Sequence, residues 1–304
     1  MPGQSTLRAL STAPGSHRHA FGVVEWVLLG AIAAIWGSSF LLIAEALESL
    51  SPPLITAGRF GLGLLTLVLF PAARRPIAPA DWRPVALIAL IWMVLPMYLF
   101  PIAQQWISSS LAGMINGALP LFASVVAAIL LRRAPGRMQV AGLAVGFAGV
   151  AAVSLAGGAD FDNGYFGVGL LILAVACYGL GVNLAVPLQQ RYGALPVLLR
   201  ALAIATLLTL PLGVVNLPNS EIATTSLLAL LALGSLGTGL AYVAMTTLVG
   251  RAGATRGSVA TYFIPIVALI LGVTFRDESA PPAALAGIGM ILLGAYLTSR
   301  KEAS

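Results

Sequence analysis

The residues able to handle a small molecule are few, and several of them fall in matching pairs. Pro120 and Pro265 each lie near the middle of a long apolar stretch. A proline has no N–H, so in a helix the carbonyl four residues earlier loses its partner and the helix bends. Those carbonyls belong to Asn116 and Thr261, so each stretch combines a freed carbonyl with a polar side chain. This predicts either a substrate-contacting or hinge site, or a kink satisfied by a neighbouring helix or a water. Aromatic residues form the second set: Trp36 and Tyr178, Tyr98 and Tyr242 at similar depth, and Tyr262 just before Pro265. Buried Trp and Tyr need a hydrogen-bond partner, so these five point to a polar cavity, with ordinary helix packing as the alternative for each. Ser38, Ser39 and Asn183 add small polar groups, although serine also serves close helix approach. Arg59 is the single charge well inside a stretch, about 10 Å from its nearer end at 1.5 Å per residue. It could bind a substrate carboxylate. It could equally pair with helix carbonyls or with Glu45 or Glu48, and the sequence favours that structural role.

Other chemistries are missing. No Asp, Glu or His lies deep in an apolar stretch, which leaves no proton relay. Cys177 stands alone, and His17 and His19 lie near the N-terminus, so neither a disulfide nor a cysteine-based zinc site can be assembled. Nucleotide-binding, metalloprotease and nucleophile-elbow motifs are absent, which excludes ATP-driven pumping by this chain alone. No catalytic residue, metal or cofactor is expected. A membrane-embedded enzyme or a receptor remains only as a remote class.

The elements that must position these residues are membrane helices. Of 304 residues 59% are hydrophobic and 9% charged, with mean hydropathy +0.97. A soluble domain holds roughly 45–50% apolar and about 25% charged residues. A spanning helix needs about 20 mostly apolar residues. Ten segments qualify, approximately 23–44, 52–71, 84–103, 109–131, 138–156, 165–187, 196–215, 225–248, 255–275 and 282–298. Trp26, Trp82 and Trp106 fall near span ends, as interfacial aromatics do. Thirteen of the 16 basic residues lie in the tails and even-numbered connectors; the odd-numbered connectors hold Arg276 alone, against seven acids. The positive-inside rule then predicts both termini in the cytoplasm. The net charge of +6 is therefore a topology signal, and no nucleic-acid partner is expected.

The ten spans read as one five-helix unit used twice. A shift of 145 residues carries Pro120 onto Pro265, Gly142 onto Gly287 and Gly149 onto Gly294. Slightly different shifts carry Trp36-Gly37 onto Tyr178-Gly179 and Arg59 onto Arg200. Five is odd, so the second copy enters the membrane from the opposite side, an arrangement found in many secondary transporters. The expected fold class is an all-α membrane protein of ten transmembrane helices in two inverted five-helix repeats. The expected division is a disordered cytoplasmic tail over 1–22, repeats over 23–156 and 157–298, and a short cytoplasmic tail over 299–304. Gly142-x-x-x-Gly146 could mark a dimer face or packing inside the bundle.

Over residues 23–298 the chain resembles the EamA-type members of the drug/metabolite transporter superfamily. The resemblance rests on Ala34-Ile35-Trp36-Gly37-Ser38-Ser39-Phe40, on Ala57-Gly58-Arg59-Phe60, and on Gly253-Ala254-Thr255-Arg256-Gly257-Ser258 leading to Tyr262-Phe263-Ile264-Pro265. The family often places a glutamate after the fourth and ninth spans. Glu278 fits that pattern, whereas Arg133 stands at the other position. The resemblance implies export of amino acids, with the aromatic amino-acid exporters the branch most similar. The expectation is a multi-pass protein of a bacterial-type inner membrane, monomer or homodimer. It would move small organic metabolites by alternating access, as facilitator or exchanger. The substrate-binding set would be Trp36, Ser39, Tyr98, Asn116, Tyr178, Asn183, Tyr242, Thr261 and Tyr262. Pro120 and Pro265 would be hinges, and Arg59 a possible charge site. A drug, purine or nucleotide-sugar-type transporter of the same fold is the alternative.

Overall fold

The computed structural model describes residues 22–132, 136–158, 164–252 and 259–299. The tail expected over 1–22, apart from Gly22, lies outside them, as do Arg133 and the run Gly253–Ser258. Ten helical spans follow in order: Val23–Leu47, Pro52–Val68, Pro79–Ala103, Ser109–Leu130, Arg137–Gly158, Gly164–Tyr192, Ala194–Val215, Thr224–Arg251, Ala260–Arg276 and Pro282–Ser299. Their lipid-facing sides carry large apolar residues such as Leu65, Leu207, Ile270 and Phe275. In lipid every backbone polar group must be satisfied within the protein, and helices do this span by span.

Contacts between spans repeat across the two halves. The first span packs on the ninth and the sixth on the fourth; the second packs on the eighth and the seventh on the third. The fifth and tenth spans form the most extensive pair. Lipid tails are as apolar as leucine, so helices associate here through close packing of small residues. A Cβ added at Gly149 would lie 2.6 Å from the carbonyl oxygen of Gly287, and one at Gly294 would lie 2.5 Å from that of Gly142. The 145-residue shift that maps Gly142 to Gly287 and Gly149 to Gly294 carries one of these contacts onto the other. The pair is thus antiparallel about a pseudo-two-fold axis, as an inverted repeat requires. Gly142 and Gly146 both pack on Gly294 within the bundle. The same symmetry recurs at Gly37, against Val267, and at its counterpart Gly179, against Phe122 and Ala123.

Local structure departs from the sequence expectation in four spans. The fourth is not one bent helix. It breaks at Gly117 and Ala118 into Ser109–Asn116 and Leu119–Leu131, with Pro120 in the first turn of the second piece. A first-turn N–H has no intrahelical partner, so proline costs little there. Pro265 lies instead inside the helix Ala260–Arg276, and Gly117 packs against its ring. The sixth span runs through Pro187 to Tyr192 rather than stopping at 187. The third and eighth spans each contain a π-helical stretch, Ala89–Val94 and Leu233–Leu240. Such stretches insert an extra residue into the turn and recur at functional sites; here they occupy repeat-related places.

Polar contacts tie both ends of the bundle. At the odd-connector end, Arg276 pairs through Nη1 with Glu45 Oε1 and through Nη2 with Glu48 Oε1, each at 2.7 Å. Beside it the Glu278 carboxylate accepts from the amides of Ser109 and Ser110, both at 2.8 Å, and from the Ser109 hydroxyl at 2.7 Å. The Ser108 hydroxyl oxygen accepts from the Leu111 amide at 3.2 Å. The first N–H groups of the fourth span, which a helix leaves without partners, are therefore satisfied, and a carboxylate meets the positive end of its dipole. At the even-connector end, Arg251 pairs with Glu25 at 2.6 Å. Asp81 accepts from Arg191 at 2.8 Å and from the Tyr192 hydroxyl at 2.5 Å.

Candidate functional site

The π-helical stretch of the eighth span organises the polar groups at mid-bundle. The glycine-rich segment Leu233–Leu240 lets neighbouring backbones approach: an added Cβ at Gly234 would lie 2.5 Å from Leu62 Cβ and 3.1 Å from the Arg59 carbonyl oxygen. From this stretch the Gly237 carbonyl accepts the Trp36 indole N–H at 3.0 Å. The Thr238 hydroxyl oxygen accepts the Arg59 Nε–H at 2.8 Å and donates to the Leu233 carbonyl at 3.2 Å, five residues back. Thr238 has one hydroxyl proton, and that proton is committed to Leu233. It can therefore only accept from Arg59, which fixes the guanidinium's orientation.

Aromatic rings surround this point. Tyr242 sits between Trp36, with ring centroids 5.6 Å apart, and Trp92, at 6.1 Å, both edge-on. Tyr178 stacks obliquely on Phe100 at 5.9 Å, and Phe100 on Phe40 at 5.6 Å. Arg59 is 7% exposed and lies within electrostatic reach of both Tyr178 and Tyr242. Both tyrosines are half-buried within the bundle. Neither hydroxyl has a protein partner among the described residues. Glu45 and Glu48, offered by the sequence as partners for Arg59, are taken by Arg276 instead. No ion pair holds Arg59 among the described residues.

Of the residues expected from sequence, Trp36, Tyr178, Tyr242 and Arg59 converge on this one region, from the first, sixth, eighth and second spans. The remainder sit elsewhere or serve packing contacts. Ser39 is buried and, like Ser38, donates to the Ile35 carbonyl of its own helix at 3.0 Å, though Ser39 also faces Gly237. Asn183 donates to the carbonyls of Ala123 at 3.0 Å and Gly179 at 2.8 Å, fastening the sixth span to the fourth. The Tyr262 hydroxyl donates to the Ala295 carbonyl at 3.2 Å, joining the ninth and tenth spans. Tyr98 is half-buried and shares neither a ring contact nor a hydrogen bond with the cluster. Asn116 ends the first half of the broken fourth span, half-buried, with Pro120 just beyond; Thr261 is the second residue of the ninth helix, four before Pro265.

Three contributors were not among those expected: Trp92, Gly237 and Thr238. Trp92 lies about as deep in its span as Trp36 does, so the depth argument applied to Trp36 reaches it too. The run Gly234-Ser235-Leu236-Gly237-Thr238-Gly239 is a mid-span interruption of the kind that points to transporter sites.

The chain matches the EamA-like transporter family over residues 24–155 and 165–300. It is 24% identical over 282 residues to an uncharacterised transporter of Archaeoglobus fulgidus, covering 91% of this chain and 99% of the relative. A probable terminal-alkyne amino-acid exporter of Streptantibioticus cattleyicolor is 26% identical over 286 residues, with 91% and 93% covered. An S-adenosylmethionine/S-adenosylhomocysteine transporter of Chlamydia muridarum is 27% identical over 288 residues, with 89% and 90% covered. Among solved structures, a crystal structure at 18% identity superposes with a TM-score of 0.64, covering 90% of this chain and 95% of its own. At that identity the likeness shows the fold.

Proposed function

The chain belongs to the EamA-like transporter family, and on that premise we propose that it exports small metabolites bearing an α-amino-acid group, by alternating access between its two halves. The carrying observation is the mid-bundle group of Arg59, Trp36, Tyr178 and Tyr242, drawn from both halves, in which the Arg59 Nη groups and both tyrosine hydroxyls lack protein partners among the described residues. Two relatives support the substrate class. The named cargo of one is an amino acid, and S-adenosylmethionine and S-adenosylhomocysteine carry the same amino-carboxylate end. A nucleotide sugar or sugar phosphate fits less well, because phosphate recognition draws on several arginines or lysines and Arg59 is the single one at this depth.

The repeats, 23–156 and 157–298, would rock about the fifth/tenth seam, with Pro120 and Pro265 as hinges where the fourth and ninth spans meet. Opening the odd-connector end would break the pairs of Arg276 with Glu45 and Glu48. The distribution of basic residues supports a bacterial-type inner membrane with both termini in the cytoplasm. The absence of a deep carboxylate or histidine from the spans supports facilitated diffusion or exchange.

Counterflow in proteoliposomes tests this reading. Labelled amino acids should exchange, and the Trp36→Ala, Arg59→Gln, Tyr178→Ala and Tyr242→Ala variants should impair exchange. Normal exchange by all four would remove the site. Uptake that depends on an imposed proton gradient would overturn the uncoupled mechanism.

A further inference from the structure

Arg59 is a full positive charge enclosed mid-bundle with one hydrogen bond, from Nε to Thr238. Its Nη1 and Nη2 groups donate to no protein atom among the described residues. The described acids offer no counter-ion: Glu45 and Glu48 bind Arg276, Glu25 binds Arg251, Asp81 binds Arg191, Glu278 holds the start of the fourth span, and Glu221 and Asp277 are exposed at the odd-connector end. Burying an uncompensated charge is expensive. A fold that still leaves Nη1 and Nη2 without a protein acceptor among the described residues leaves that charge for a mobile anion. Thr238 strengthens the point. By accepting at Nε and donating backward to Leu233, it locks the planar group and leaves the remaining four N–H donors presented together. That fork matches a carboxylate, which accepts two parallel hydrogen bonds from it. The Tyr178 and Tyr242 hydroxyls, within electrostatic reach of Arg59, can donate to the same anion. Trp36, Trp92 and Tyr242 add aromatic faces, which attract an ammonium group.

We propose that Arg59, held in place by Thr238, is the carboxylate anchor of the transport site, and that the neighbouring aromatic rings receive the substrate's ammonium and side chain. This assignment rests on the amino-acid reading above and sharpens it: the site selects a monoanionic carboxylate end. Thr238 is a positioning residue, acting only through Arg59. A neutral carboxamide presents an N–H₂ group where the fork requires an acceptor, so it should be rejected.

The test uses the full-length protein in proteoliposomes exchanging labelled L-phenylalanine or L-methionine. The competitors are each amino acid and its matched carboxamide, L-phenylalaninamide or L-methioninamide. In the wild type the free acid should compete at least about tenfold better than the amide, the size of one charge-assisted hydrogen bond. In Arg59→Gln that ratio should fall to within about twofold, and Arg59→Lys should recover part of it. Thr238→Val should raise the half-saturating concentration severalfold while leaving the maximal rate nearly unchanged, and Thr238→Ser should restore it. Equal competition by acid and amide in the wild type overturns the anchor, whatever the variants do, and so does an Arg59→Gln protein that keeps the wild-type ratio. If the wild type exchanges no amino acid at all, the transport reading itself falls. The wild-type acid-to-amide ratio decides the anchor even if Arg59→Gln fails to fold.

Discussion

Arg59 and Arg200 occupy corresponding places in the second and seventh spans, yet their surroundings differ. Arg59 packs against the π-helical stretch of the eighth span, which contains Thr238, and its Nε–H bond to that hydroxyl is its one side-chain hydrogen bond among the described residues. Arg200 packs in the helix facing the corresponding stretch of the third span, Ala89–Val94, which carries no hydroxyl. Its guanidinium turns instead to the chain before the third span, donating to the Ala73 carbonyl at 2.6 Å and the Arg74 carbonyl at 3.3 Å. Duplication supplied both halves with the same arginine on the same scaffold. The two then found different partners: a hydroxyl for Arg59, two backbone carbonyls for Arg200. The glycine seam between the fifth and tenth spans shows the opposite case, where both copies do the same job.

That contrast can be broken experimentally. The largest effect is expected at the symmetric seam. Gly149→Leu and Gly294→Leu should each abolish recovery of monodisperse protein on size-exclusion chromatography, because the added side chain would collide with backbone across the seam. Gly289→Leu, where an added Cβ meets nothing within 4 Å, should behave as wild type. A large difference between the two seam variants would argue against the pseudo-symmetry.

The arginines should behave asymmetrically. Arg59→Gln should reduce amino-acid exchange by roughly 10–100-fold while the protein still elutes as wild type, since charge-assisted bonds contribute about 1.5–3 kcal/mol. Arg200→Gln should lower thermal stability by about 1–2 kcal/mol, with exchange changed by less than about threefold, because its acceptors are backbone carbonyls at a half-buried site. Equal losses of exchange would erase the distinction.

Glu278→Gln tests a contact that the first half does not reproduce in sequence, since Arg133 stands at the corresponding place. Replacing the carboxylate at the start of the fourth span should cost about 1 kcal/mol, read as a lower melting temperature in detergent. Ser109→Ala should show part of that loss. The smallest effect is expected for Trp36→Phe, which keeps a ring against Tyr242 but deletes the indole N–H donated to Gly237. A stability loss of about 0.5–1.5 kcal/mol with exchange retained would make Trp36 a support for the π-helical stretch.

Much of this was legible in the residues. Ten apolar stretches, their ends marked by arginines and acids, became ten spans, because a bilayer imposes a local rule on every segment that crosses it. The pairs Gly142/Gly287 and Gly149/Gly294 announced the repeat, and the structure turned them into contacts. Trp36, Tyr178, Tyr242 and Arg59 could be named as deep polar groups from position alone. Trp92 has the same depth as Trp36 and is equally legible, whereas Thr238 is not, because a threonine in a hydrophobic run carries no signal until a partner is known. The break in the fourth span was equally silent. Asn116-Gly117-Ala118 does not distinguish a bent helix from two helices, and the outcome depends on how Gly117 meets Pro265 across the bundle.

The sequence by itself determined that this chain is a membrane protein of ten helices in two inverted copies, because hydropathy, charge placement and internal matching are properties of segments. Which polar groups find partners was left to the tertiary structure. Arg276 sits 231 positions from Glu45 and takes the acid that sequence distance would have offered to Arg59. Arg59 meets Thr238 across 179 positions. Inside a bilayer an unmatched charge cannot turn to water, so those long-range choices decide which side chains merely hold the bundle together and which stay open to a substrate.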